Sequence, residues 1–105
     1  MKLSKNVREQ DVINWSKERM IDSYDSRFIQ LAKVMEELGE LSKAMIEDDF
    51  NGIVDALGDV NVTLIVLANQ MELLLSDCLE VAYDEIKNRK GVLKNGSFIK
   101  NVEKK

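Results

Sequence analysis

An all-α fold is what this amino-acid sequence predicts, and three observations carry the prediction. The 105 residues include no proline, and the five glycines stand apart from one another, so the tight-turn chemistry of a sandwich or barrel is missing. Apolar residues recur at helical spacing over most of the chain, without the strict alternation of half-buried strands. With 45% hydrophobic and 32% charged residues, the composition suits one globular domain over residues 1–105 and is too apolar for disorder.

Taken in order, a first helix is expected over about residues 7–20, with Val7, Val12, Ile13, Trp15 and Met20 as buried positions. The polar stretch "DSYDS" then reads as a loop. Ser26 is placed to cap a second, longer helix, in which Phe28, Leu31, Val34, Met35, Leu38, Leu41 and Met45 fall at helical spacing, ending near "EDDF". A third helix is expected to start between Asp49 and Gly52 and to run to Met71, apolar on every side and therefore buried all round. Ser76 or Asp77 is placed to cap a fourth, with Leu79, Ala82, Tyr83 and Ile86 on its apolar face, closing at Gly91. In the remaining stretch, Asn95-Gly96 signals a turn, either of a short hairpin or of an ordered tail.

Composition also narrows the chemistry. The single cysteine, Cys78, and the absence of histidine exclude an internal disulfide, histidine-dependent nucleophiles and the usual zinc sites. Carboxylate, lysine and metal chemistry remain. The opening "MKLSKNVREQ" lacks the apolar segment of a signal peptide, and no uncharged apolar run reaches the length of a membrane span, so a cytoplasmic protein without membrane contact is expected. A formal net charge of -4 argues against stable nucleic-acid binding, yet the charge is unevenly spread. From Leu31 to Ile86 the only basic residues are Lys33 and Lys43, whereas Lys87, Arg89 and Lys90 open a basic C-terminal end.

The acids of the middle segment are the candidate site. At 100° per residue and with Glu37 at zero, the apolar set of the second helix spans about 40° to 180°, while Glu36 falls near 260°, Glu40 near 300° and Lys33 near 320°. The glutamates thus run along one edge of the apolar face. Glutamates at such spacing are also what a solvated helix face displays, but that does not explain Asp59, which stands among Leu57, Val60 and Val62. Asp55, one turn earlier, lies on the same side. Ionised carboxylates drawn out of water need a basic partner, a proton or a metal ion, and with basic partners scarce a hard divalent cation is the economical remedy. Mg²⁺ suits such a site, because it keeps waters and completes its shell with substrate phosphates; Mn²⁺ is a second candidate.

The ordered set "EELGEL", "DALGDV", "VINWSKERMI" near the start and "AYDEIKNRKGVLKNGSFIK" near the end resembles the MazG-like, all-α nucleotide pyrophosphohydrolases, in their compact single-domain form. The resemblance spans most of the chain. It implies a four-helix bundle-like fold with a short C-terminal tail, assembled as a dimer or tetramer. It also implies Mg²⁺-dependent hydrolysis of a nucleoside triphosphate to the monophosphate and pyrophosphate. Glu37 and Glu40 match the family's ExxE motif and Asp59 the aspartate of its ExxD, while the glutamate of the latter is Ala56 here, leaving Asp55 as the nearest substitute ligand. Glu36 and Glu37 are the candidates to activate water. Lys33, Asn88, Arg89 and Lys90 are candidates to hold the substrate, and Trp15 to stack on its base. The Ala56 departure keeps a second reading open, a nucleotide- or metal-binding helical oligomer without turnover, and a third is a purely structural helical module.

Overall fold

A computed structural model describes residues 8–101. Four helices and a C-terminal hairpin follow one another, and backbone contacts divide the chain after Leu75 into two compact units.

The first unit holds α1 (Glu9–Glu18), a short 3-10 turn (Tyr24–Ser26), α2 (Arg27–Ile46) and α3 (Phe50–Gln70), with α3 packed against both α2 and α1. Asp11 turns back to accept a hydrogen bond from the Arg8 N–H at 3.3 Å, which satisfies one free donor at the start of α1. The expected cap at Ser26 does not form, because the 3-10 turn feeds directly into α2 and its own opening is closed by Ser23, whose Oγ accepts from the Asp25 N–H. α3 starts within the expected window, and Asp49 caps it, accepting from the Gly52 N–H at 3.0 Å. Ile13, Val34, Ala44, Ala56, Val66 and Ala68 form the buried apolar core. Within it, Gln30 Nε2 donates to the Thr63 carbonyl at 3.1 Å and ties α2 to α3.

Two expectations about packing are corrected. The face α2 turns inward is Gln30, Val34, Glu37, Leu41 and Ala44, centred near 20° on the angular scale used above, about 90° away from the centre of its apolar arc. Phe28 and Met35 consequently stay 68% and 65% exposed, and Leu31, Leu38 and Met45 are exposed with them. Nor is α3 buried all round: α1 and α2 cover only part of it, and Val54 and Leu57 stand in solvent. By length and composition α3 is apolar enough to cross a membrane, at a mean hydropathy of 1.5. Its two aspartates and its place against α1 and α2 are those of a bundle's central helix. On α1, Ile13 is buried and Val12 half-buried, whereas Trp15 is exposed, as is Met20 just past the helix end; Val7 lies outside the described residues.

The second unit holds α4 (Leu75–Ile86) and two antiparallel strands, β1 (Gly91–Lys94) and β2 (Ser97–Lys100), in register Gly91 with Lys100 through Lys94 with Ser97. The helix starts a residue before the expected caps and ends four before Lys90, releasing the chain to enter β1. Its apolar residues Leu79, Ala82, Tyr83 and Ile86 are exposed. Asn95 and Gly96 form the two-residue turn, both with positive φ, so the hairpin is realised.

Candidate active site

The turn between α2 and α3 sets their register. A Cβ added to Gly52 would lie 3.2 Å from the Cβ of Ala44, so these two residues stand face to face where the antiparallel helices meet. One turn further out, Glu40 comes level with Ala56, and the next turn brings Glu37 level with Asp59. The acids of two helices are thereby directed into one groove of about 410 Å³, lined by Glu36, Glu37, Glu40, Lys43, Ala44 and Glu47 from α2 and its end, and by Asp49, Gly52, Asp55, Ala56 and Asp59 from α3 and its start.

Electrostatics report the same convergence. Loss of water around the half-buried Glu37 carboxyl pushes its pKa above the ordinary 4.5; the charge of Asp59 across the helix pair is the next cause, with Glu36 and Glu40 adding and Lys33 opposing. The charges of Glu37 and Asp59 therefore act on each other across the helix pair. Among the described residues no three carboxylates already stand in metal-holding geometry. The donor set nonetheless fits a hard cation. Glu37, Glu40, Asp55 and Asp59 present oxygen ligands from both walls, their mutual repulsion is unrelieved by any ion pair among the described residues, and Mg²⁺ or Mn²⁺ needs only some of them beside its waters. Ala56 lines the groove but offers no ligand, and exposed Asp55 is the acid beside it.

The other sequence candidates fall elsewhere. Lys33 does not line the groove and touches it only through its field at Glu37. Trp15 is 41% exposed with the Arg19 guanidinium 4.5 Å over its ring, and it too is absent from the groove wall. In the second unit Lys87 pairs with Asp84 at 3.1 Å and Arg89 with Glu85 at 3.6 Å, both acids lying in the last turn of α4. Asn88 and Lys90 are exposed, and the Lys90 carbonyl accepts from the Asn101 N–H. Three charged groove residues were not among the sequence candidates: Lys43, Glu47 and Asp49. Helical stepping would have found the first two, since Lys43 falls near 240° and Glu47 near 280°, on the strip of Glu36 and Glu40.

No curated protein and no solved structure matches the chain significantly. A family model described as phosphoribosyl-ATP pyrophosphohydrolase matches residues 5–88, which takes in all four helices and stops short of the hairpin. With four-fifths of its length matched and two facing helices carrying the acids, the chain belongs to the phosphoribosyl-ATP pyrophosphohydrolase family, within the MazG-like all-α nucleoside triphosphate pyrophosphatases.

Proposed function

We propose that this pyrophosphohydrolase uses Mg²⁺ or Mn²⁺, held by Glu37, Glu40, Asp59 and Asp55, to hydrolyse a nucleoside triphosphate to the monophosphate and pyrophosphate. The observation that carries the reading is the meeting of Glu37 with Asp59 across α2 and α3 in a groove short of cations. A bound divalent ion supplies charge neutralisation on the phosphates and polarises the phosphorus centre. The chain's own carboxylates then do the rest: they fix the site geometry, and Glu36 or Glu37 accepts the proton of the attacking water.

The family's substrate, a phosphoribosyl-ATP, and a simple nucleoside triphosphate share the triphosphate the groove addresses, and they differ in what is attached to the base. Incubating the chain and Mg²⁺ with a panel of both, and measuring pyrophosphate, decides between them. Release from the triphosphates supports the proposal; release from phosphoribosyl-ATP alone moves the specificity to the family's own substrate. Binding without release from any member favours the inactive nucleotide-binding reading.

The exposed apolar arc of α2 bears on assembly. Phe28, Leu31, Met35 and Leu38 leave a contiguous apolar strip that a soluble monomer rarely shows. We take this strip as the contact through which copies of the chain form a dimer or tetramer.

A further inference from the structure

We infer that Lys43 holds the phosphoryl groups released as pyrophosphate, so that the substrate lies along the groove with its phosphate end toward the α2–α3 turn. The inference rests on the pyrophosphohydrolase reading and adds an orientation to it.

Among the described residues the groove wall carries Lys43 as its one ammonium beside many carboxylates. Among the described residues Lys43 forms no ion pair, so its charge is not committed to a neighbouring acid. A divalent cation neutralises part of the acid cluster, but a polyphosphate chain brings further negative charge into the same space, and an ammonium is the ordinary protein group that meets it. Lys33 cannot fill the place, since it lies outside the groove wall. Position then gives direction. Lys43 is one turn beyond Glu40 on the side of the α2–α3 turn, whereas Glu37 and Asp59 lie on the other side of Glu40. Cation ligands and ammonium therefore stand in file, and a linear polyphosphate spanning both has its free end at Lys43 and its nucleoside end past Glu37.

Lys43→Met and Lys43→Arg test this in the full chain. With Mg²⁺ saturating, Lys43→Met is expected to raise KM for the triphosphate about 10- to 100-fold, the effect of losing one charge-assisted contact, and Lys43→Arg to recover most of it. Mg²⁺ alone, titrated calorimetrically, is expected to bind Lys43→Met at least as tightly as wild type, because a positive charge has left the groove. A lysine that does not touch the phosphates predicts an unchanged KM in both variants, and that result overturns the inference. Inorganic tripolyphosphate with Mg²⁺ separates this from the wider reading. If wild type binds it, Lys43→Met binds it more weakly and neither releases pyrophosphate from any nucleotide, Lys43 keeps its role and the hydrolase reading falls. Equal tripolyphosphate binding by both removes the role whatever the activity. Should Lys43→Met lose its helical circular dichroism, Lys43→Gln, which keeps a donor and drops the charge, takes its place in each comparison.

Discussion

The helical unit and the hairpin unit both reverse the chain at left-handed residues, and they do so by opposite means. α1, α2 and α3 each end on a residue with positive φ that is not glycine: Met20 at 58°, Asp48 at 52° and Glu72 at 59°. Each end carries the same pair of backbone bonds, as in Ile21 N–H to Ser16 O and Met20 N–H to Lys17 O, repeated by Asp49 to Ala44 and Asp48 to Met45, and by Leu73 to Ala68 and Glu72 to Asn69. A side chain in that region costs about 1–2 kcal/mol, so packing of the three helices holds what local preference resists. The hairpin turn instead uses Asn95-Gly96, the residues its geometry favours, and buries almost nothing. Packing commands the first unit and local chemistry the second. The charges follow the same division, with acids directed into a groove by helix register and Lys87 and Arg89 paired with the α4 acids just before them in the chain.

The sharpest way to break this comparison is through activity. If register makes the site, Asp59→Asn or Glu40→Gln removes a ligand that nothing replaces. Pyrophosphate release is then expected to fall by at least about 100-fold, the upper end of what even an outer-shell partner is worth. Both variants should melt in metal-free buffer at or above the wild-type temperature, because each relieves like-charge repulsion. Lower melting temperatures for both would contradict the shared groove. Deleting residues 92–105 should by contrast raise KM only on the order of tenfold, as loss of a charged contact does, and leave the helical melt in place. An unchanged KM would mean that residues 92–105 take no part in substrate binding.

Capping tests the same division on the scale of stability. Asp49→Ala loses the bond to the Gly52 N–H at the point where the two helices of the groove are joined, and an unfolding free energy lower by about 1 kcal/mol is expected in denaturant titration. Ser26→Ala, at a helix start whose side chain makes no cap bond, should change stability by less than about 0.5 kcal/mol. Equal losses would mean that the 3-10 turn before α2 does not substitute for a cap.

These contrasts explain what could be read from the sequence and what could not. Four helices, the Asp49 start, the Asn95-Gly96 turn and the grouping of Glu36, Glu37 and Glu40 along α2 and of Asp55 and Asp59 along α3 all follow from spacing and local preference, which is where sequence speaks directly. The face by which α2 meets α3 does not. Spacing ranks faces by apolarity and so selects Phe28, Leu31 and Met35, whereas Gln30, Glu37 and Ala44 are turned inward because the short 47–49 connection and the Ala44–Gly52 approach fix the rotation of one helix on the other. The Glu37 carboxyl is partly desolvated for the same reason. Trp15, expected among the buried positions of α1, is instead half-exposed under an arginine, because spacing alone does not separate the two settings.

Glycine exchange sharpens the comparison at its origin. Met20 is 85% exposed, so Met20→Gly removes little packing while relieving the left-handed cost. About 1–2 kcal/mol is relieved and roughly half to all of 1 kcal/mol returns through glycine's freedom in the unfolded chain, for a net gain near 0.5 kcal/mol. Gly96→Ala, at φ 78°, should act in the opposite sense and melt the hairpin, read from the backbone amide signals of residues 91–100. A loss of stability in Met20→Gly would show that its conformation is not strained.

The smallest effect expected is the pH dependence contributed by Glu37, since its half-exposed carboxyl is screened by water. Its pKa in the folded chain is raised above 4.5, so the folded state holds the proton more tightly than the unfolded state does. The contribution to stability is complete below pH 4.5 and is lost as the pH rises through the folded value. In chelator, the melting temperature of wild type relative to Glu37→Gln should therefore decline between pH 4.5 and neutrality. Adding Mg²⁺ should abolish that decline in wild type, because a cation at the ionised carboxyl reverses which protonation state the fold prefers. A pH profile parallel to that of Glu37→Gln would mean that Asp59 and Glu37 do not sense each other across the groove, and the packing that distinguishes this unit from the hairpin would then have no electrostatic consequence.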